Sequence, residues 1–243
     1  MPIKGVQRLM VKSMTAALQV QHLTYSDEFI VDKLIKLRKI LKADAEKRGV
    51  RISYMPFIIK ATSLALDQFP ILNATVNSDT TAMIYHRNHN IGVAMDSSKG
   101  LIVPVINGVQ NKSIFEIAQE LSILQDCVSK GTVTESQMSG GTFTLSNIGS
   151  IGGTYAVPVI VVPQVAIGAF GRQQIVPRYV NSDGDNADGD LIYSGGADIK
   201  PVTIMNISWS ADHRVIDGAT VARFSNLFKS YMENPSLMIA LMK

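Results

Sequence analysis

Along the 243-residue chain the spacing of apolar positions changes period several times. From Ser26 to Arg48, Ile30, Leu34, Leu37 and Leu41 recur at helical spacing, with Ser26 or Asp27 as available caps and Gly49 as a stop, so the pattern predicts an amphipathic helix. Pro56 suits the first turn of a second helix carrying Ala61, Leu64, Ala65 and Phe69, and Phe69-Pro70 ends it. The period then shortens, and short strands are predicted as far as residue 106, with Ile91–Met95 and Leu101–Val105 around a turn at 96–100. Ser113-Ile114-Phe115-Glu116 reads as a capping box opening a helix through Val128, with Ile117, Leu121 and Leu124 inward. Next comes an alternating stretch. Thr142, Thr144 and Ser146 project from one face of a predicted strand and Phe143 and Leu145 from the other; on residues alone the hydroxyl face is a wetted sheet surface. Val159 to Phe170 is an apolar strand run broken by Pro163, and Thr203 to Trp209 is the last strand. Val221, Phe224, Phe228 and Tyr231 line a closing helix that ends before Asn234-Pro235.

Composition narrows the class. A hydrophobic content of 46% fits one large domain with a buried core, while 18% charged residues and 11 methionines point to surface covered by subunit contacts. A net charge of +3 is too small to argue for nucleic acid, and no groove-reading or stacking motif is present. No apolar run approaches the ~20 residues that span a bilayer. The single cysteine, Cys127, lies in a helical pattern and reads as an inert buried thiol without an intrachain disulfide. The opening Met1-Pro2-Ile3-Lys4-Gly5 reads as a cut domain boundary, and residues 1–243 are expected to form a single domain. Residues 1 to 24 alternate basic and apolar positions; they form either a solvated basic arm or one that clamps a neighbouring subunit. His86 and His89 are three apart but have no third ligand nearby, and no metal is assigned to them. Residues 182–190 hold four aspartates, yet Ala187 breaks the calcium-loop order and no glutamate closes it. An acidic, flexible surface loop is expected there.

The chemistry concentrates in Ser208-Trp209-Ser210-Ala211-Asp212-His213-Arg214-Val215-Ile216-Asp217-Gly218. It places a histidine four residues before an aspartate, on a turn between an apolar run and a helical one. Histidine titrates near neutrality and can take a proton from an alcohol or thiol; an isolated loop histidine can equally be structural. The whole string matches the His-x-x-x-Asp-Gly signature of the dihydrolipoamide acyltransferases, shared with chloramphenicol acetyltransferase and peptide-synthetase condensation domains. Resemblance to the acyltransferase catalytic core runs much further. It includes Phe69-Pro70-Ile71-Leu72-Asn73-Ala74, Asn90-Ile91-Gly92-Val93-Ala94-Met95-Asp96, Gly100-Leu101-Ile102-Val103-Pro104 and Gly140-Gly141-Thr142-Phe143-Thr144-Leu145-Ser146-Asn147-Ile148-Gly149. These blocks look most like the branched-chain member of the family.

The resemblance implies an α/β fold like that of chloramphenicol acetyltransferase, a mixed sheet with flanking helices that forms trimers. It implies His213 as general base, Ser146 as oxyanion donor and Asp217 as loop and tautomer support, with Arg8 the candidate to pair with Asp217. Coenzyme A, as substrate, would meet Arg38, Ser53, Asp96, Gln125, Ser146, Asn147, Gly171 and Gln173. At Gln173 and the adjacent Arg172 the chain departs from the family's usual residues, and Ser53 is equally explained as a helix cap. The acyl group, isobutyryl, isovaleryl or 2-methylbutanoyl, would move between coenzyme A and a lipoyl group carried on a separate domain, without a metal. The family's lipoyl and subunit-binding domains are not among these 243 residues, so the resemblance implies the catalytic core domain, 1–243, of a longer protein. The implied partners are further copies, as a homotrimer and then a 24-subunit core, with the lipoyl domain, the decarboxylase and the dihydrolipoamide dehydrogenase. Neither nucleic acid nor membrane is implied. The implied compartment is the mitochondrial matrix, or the cytoplasm for a bacterial source. Transfer of acetyl or succinyl groups and a non-catalytic scaffold core are the alternatives.

Overall fold

The longest strand, β9 (Asp198–Asp212), pairs on both edges and carries the chemical stretch at its end. In the computed structural model the described residues are 2–97, 100–180 and 198–242; the acidic segment 182–190 lies outside them. The chain begins with α1 (Val6–Ala17), β1 (His22–Ile30), α2 (Asp32–Lys47) and α3 (Met55–Gln68). There follow β2 (Ala74–Val76), β3 (Met83–Tyr85), β4 (Ile91–Ala94), β5 (Val105–Ile106), α4 (Ile114–Lys130) and α5 (Glu135–Met138). The rest is β6 (Phe143–Asn147), β7 (Ala166–Phe170), β8 (Gln174–Val180), β9, α6 (Gly218–Glu233) and α7 (Pro235–Ala240). Among the described residues one seven-stranded sheet runs β1-β9-β7-β6-β4-β5, with β8 paired to the first half of β9. β4, β6 and β7 are mutually parallel and the other pairings antiparallel, so the sheet is mixed.

Alternation sorts the sheet into two faces. On one, Phe143, Phe170 and Trp209 meet Phe224 and Phe228 of α6, with Trp209 ring centroids 5.0 and 5.3 Å from those of Phe224 and Phe228. The indole lies flat against Gly168, where a Cβ would sit 2.3 Å from Trp209 Cζ3, so this crossing admits only glycine. The other face is polar. Thr24 and Ser210 hydroxyls meet at 3.1 Å and those of Ser26 and Ser208 at 3.0 Å across the β1–β9 ladder.

Several elements follow their local signals. Ser113 and Glu116 exchange both bonds of the capping box, and Gly131, at φ 67°, closes α4 two residues later than Val128 would have done. Pro56 lies in the first turn of α3, and α6 stops before Asn234-Pro235.

Other expectations need correction. Ser26 to Ile30 is strand, in register with β9 from Ser208 to Ile204, so neither Ser26 nor Asp27 caps a helix. The helix starts at Asp32, whose carboxylate accepts from the Thr203 amide. The hydroxyl face of β6 is not wetted: Thr142 and Thr144 are buried, donating to Asn73 Oδ1 at 2.6 Å and Gln164 Oε1 at 2.7 Å. A buried hydroxyl requires such partners. Strand β7 is shorter than the apolar run, because a turn joining the Gln164 amide to the Val161 carbonyl precedes it. Strand β9 is longer than Thr203–Trp209, and Cys127 is only partly buried. Residues 6–17 form a helix with Leu9, Met10 and Val11 exposed.

Candidate active site

Two regions at opposite ends of the sheet carry the candidate residues. At the end of β9 the Asp212 amide donates to Val165 O, and the His213 amide donates to Gln21 O at 2.7 Å, which turns the chain out of the sheet. His213 is exposed, with Nδ1 3.0 Å from the carbonyl oxygen of Ile216. A carbonyl only accepts, so Nδ1 carries the proton, and in the neutral ring Nε2 keeps its lone pair facing outward. That is the tautomer a general base needs. Ile216, rather than Asp217, supplies this hydrogen bond.

Asp217 is the N-cap of α6. Its carboxylate accepts from the Thr220 amide and hydroxyl, both at 2.8 Å, and these bonds hold it below the usual carboxylate range. It therefore anchors the helix that follows the loop. Among the described residues no ion pair joins it to Arg8.

Ser146 lies at the far end, near the close of β6, half-buried between Ala94 of β4 and Ala169 of β7. Ala169 is level with Ser208 of β9, and His213 lies five residues beyond Ser208 (213 − 208). At the strand rise of ~3.3 Å per residue, Ser146 and His213 of one chain are roughly 17 Å apart along the sheet. One chain does not bring them together.

Five of the eight residues expected to meet coenzyme A share one cavity; Ser146 does not line it. Ser53, Gln125, Asn147, Gly171 and Gln173 line one cavity of about 320 Å³, drawn from the α3 entry, α4 and the ends of β6 and β7. Tyr54, which carried no signal in the sequence, lines it too, as does Arg172, where the chain departs from the family's usual residues. Arg38 reaches its edge through Tyr54: the guanidinium carbon lies 4.9 Å from the ring centroid, and Nε donates to Ile52 O at 3.0 Å. Asp96 is exposed just beyond β4 and does not line this cavity. The wall is backbone against backbone. A Cβ on Gly171 would lie 2.0 Å from Thr154 O, and one on Gly149 would lie 2.3 Å from the Gly171 carbonyl.

The two other histidines singled out are engaged elsewhere. His89 is buried with Nδ1 2.8 Å from Ser63 Oγ, and His86 Nε2 lies 3.1 Å from Thr75 Oγ1.

Flanking His213 are two residues whose role the motif did not announce. Asp212 is 1% exposed and its carboxylate accepts three bonds from Arg214, from the amide (3.1 Å), Nε (2.9 Å) and a terminal nitrogen (2.6 Å). On paper both are ordinary loop charges. Only the burial of Asp212 sets the pair apart; Arg214 itself is exposed.

Comparison with known proteins bears on the family and the fold. The family model for 2-oxoacid dehydrogenases acyltransferase (catalytic domain) matches residues 1–240. The chain is 53% identical to the Bos taurus lipoamide acyltransferase component of the mitochondrial branched-chain alpha-keto acid dehydrogenase complex, over 98% of this chain and 46% of that protein. It is 34% identical to the Bacillus subtilis acetyltransferase component of the pyruvate dehydrogenase complex, over 98% of this chain and 50% of that one. The chain thus spans about half the length of the curated relatives it matches. Among solved structures it resembles the cubic core of a pyruvate dehydrogenase multienzyme complex, with a TM-score of 0.88 and 28% identity, covering 98% of this chain and 93% of that one. Chloramphenicol acetyltransferase shares the fold at a TM-score of 0.55 and 11% identity, over 96% of this chain and 98% of that one. Matched almost end to end by the family model, with a cavity and an outward-facing histidine at the two ends of its sheet, the chain belongs to the 2-oxoacid dehydrogenase acyltransferase family, as its catalytic domain.

Proposed function

We propose that this domain transfers a branched-chain acyl group between a dihydrolipoyl arm and coenzyme A, inside a branched-chain 2-oxo acid dehydrogenase complex. The observation that carries the reading is the His213 tautomer: Nδ1 is tied to Ile216 O, leaving Nε2 as a free acceptor. A thiol with a pKa of about 8.5 is mostly protonated at neutral pH, and its thiolate is the nucleophile. Nε2 takes the thiol proton as sulfur attacks the thioester carbonyl, and a new carbon–sulfur bond forms. The tetrahedral oxyanion accepts a hydrogen bond from Ser146. The old carbon–sulfur bond then breaks, and His213 returns the proton to the departing sulfur.

Because His213 and Ser146 of one chain are at opposite ends of the sheet, the site takes them from adjacent copies. We assign the assembly as a trimer built into a 24-subunit core. The likeness to a cubic core and the exposed apolar residues of α1 support this. Coenzyme A occupies the cavity at Ser53, Gln125, Asn147, Gly171 and Gln173, with Arg38 answering a phosphate and Asp96 at the outer end of the coenzyme. The lipoyl domain, decarboxylase and dihydrolipoamide dehydrogenase are the partners, and the mitochondrial matrix the compartment, as for the mitochondrial Bos taurus relative. The identity of 53% to that protein against 34% to the acetyltransferase favours the branched-chain subtype.

The test is acyl transfer from isobutyryl-, acetyl- and succinyl-coenzyme A to free dihydrolipoamide by the assembled protein. Isobutyryl preference is expected; acetyl or succinyl preference moves the protein to another complex. His213→Ala should assemble normally and lose about 10²–10⁴-fold in turnover, the span of general base catalysis. A near-normal rate would remove His213 from that role.

A further inference from the structure

A carboxylate buried at the last position of a strand is costly to maintain unless it is paired and hydrogen-bonded. Asp212 meets both conditions with a single partner two residues away. The three bonds from Arg214 close a small ring around the backbone of residues 212–214, and His213 is the residue enclosed. Outside that ring, the Asp212 carbonyl accepts from the Val215 and Ile216 amides at 3.1 and 2.9 Å, folding the chain back. That fold brings the Ile216 carbonyl to His213 Nδ1. Thus the side chain of Asp212 orders the residue after the histidine, and its carbonyl delivers the atom that fixes the ring.

We propose that the Asp212–Arg214 pair is a positioning clamp for His213, holding its imidazole in the orientation and tautomer the transfer requires. The inference rests on His213 being the base. It assigns Asp212 and Arg214 no contact with substrate. The planar guanidinium fork suits the task, because it binds both carboxylate oxygens in one plane where a lysine ammonium binds as a point charge.

The experiment measures kcat and KM for both thiol substrates in assembled wild-type protein, Asp212→Asn, Arg214→Met, Arg214→Lys and the double variant Asp212→Asn/Arg214→Met. Misplacement of a reacting group by about 1 Å can cost on the order of 10²-fold, so each of Asp212→Asn and Arg214→Met should lower kcat by about 10- to 100-fold with KM unchanged within about twofold. The double variant should be no worse than the poorer single, as expected for two halves of one device. Arg214→Lys should recover part of the rate. Introduced into His213→Ala, Arg214→Met should remove nothing further. Undiminished kcat, a rise in KM at constant kcat, multiplied defects in the double variant, or an added loss on the His213→Ala background would each overturn the clamp. If His213→Ala itself keeps the wild-type rate, the assignment of the base has failed, and the clamp with it.

Discussion

Replacing Gly171 with alanine tests whether the cavity wall is as tightly set as its contacts imply. The added Cβ would stand 2.0 Å from Thr154 O and 2.8 Å from its carbonyl carbon, where 3.0 Å is the practical floor. Segment 149–154 or the end of β7 must therefore retreat by about 1 Å (3.0 − 2.0). Neither obstacle is a flexible side-chain tip. Gly171 has no positive φ, so alanine is tolerated on backbone grounds and the cost is steric alone. The Arg172 amide bond to Gly153 O, 3.0 Å, ties the same two segments and is strained by the same movement. Overpacking of this kind costs ~1–3 kcal/mol. For a chain of this size that corresponds to a fall in Tm of roughly 2–12 °C. Thermal melts at fixed protein concentration give the stability change. Initial rates against coenzyme A concentration should show KM raised and kcat largely retained, since Gly171 lines the cavity and His213 is at the other end of the sheet. A variant that melts with the wild type and keeps its KM would refute the reasoning.

Further outcomes follow from the same contacts. Ser146→Ala should lower kcat by ~10²–10³-fold, the usual loss on removing one oxyanion donor, and Ser146→Thr should restore most of it; equal rates in all three would exclude the hydroxyl. Phe228 is fully buried against Phe29, Phe170 and Trp209, so Phe228→Ala should cost ~3–5 kcal/mol, read from denaturant midpoints; a loss under ~1 kcal/mol would contradict the packing. Burial pushes His89 below the ordinary imidazole pKa, against the raising effect of Asp67. Below about pH 6.5 the unfolded chain therefore takes up a proton the folded chain resists, and stability falls as pH drops. His89→Gln should flatten that fall below about pH 6.5; an unchanged slope would show another group responsible.

Helices α3, α4 and α6 were legible because their signals are local: Pro56 at a first turn, the Ser113–Glu116 box, and Asn234-Pro235 as a stop. Strand β1 was not. Ser26 and Asp27 resemble caps, and the partner that makes them strand, β9, lies some 180 residues away (208 − 26 = 182 for Ser26). The hydroxyls of Thr142 and Thr144 looked solvated for a similar reason, since their acceptors, Asn73 and Gln164, come from other segments. In the candidate site, spacing displayed His213 and Asp217, while Ser53, Gln125 and Gly171 carry no periodic signal and were reached only through family resemblance. Their convergence depends on how α3, α4 and β7 pack. The importance of Asp212 turns on its burial and that of Arg214 on its bonds to Asp212, neither of which a charged pair beside a turn advertises.

The separation of Ser146 from His213 also has a genetic consequence. If each site draws one residue from each of two neighbours, a chain lacking His213 spoils a site to which a normal neighbour has lent Ser146, while its own serine can still serve a site whose histidine is intact. Two inactive variants, one without the histidine and one without the serine, would then regain activity when co-assembled, although neither chain is repaired. A heterozygous cell would make mixed shells in which the loss of sites follows how copies are arranged, and not merely how many are defective.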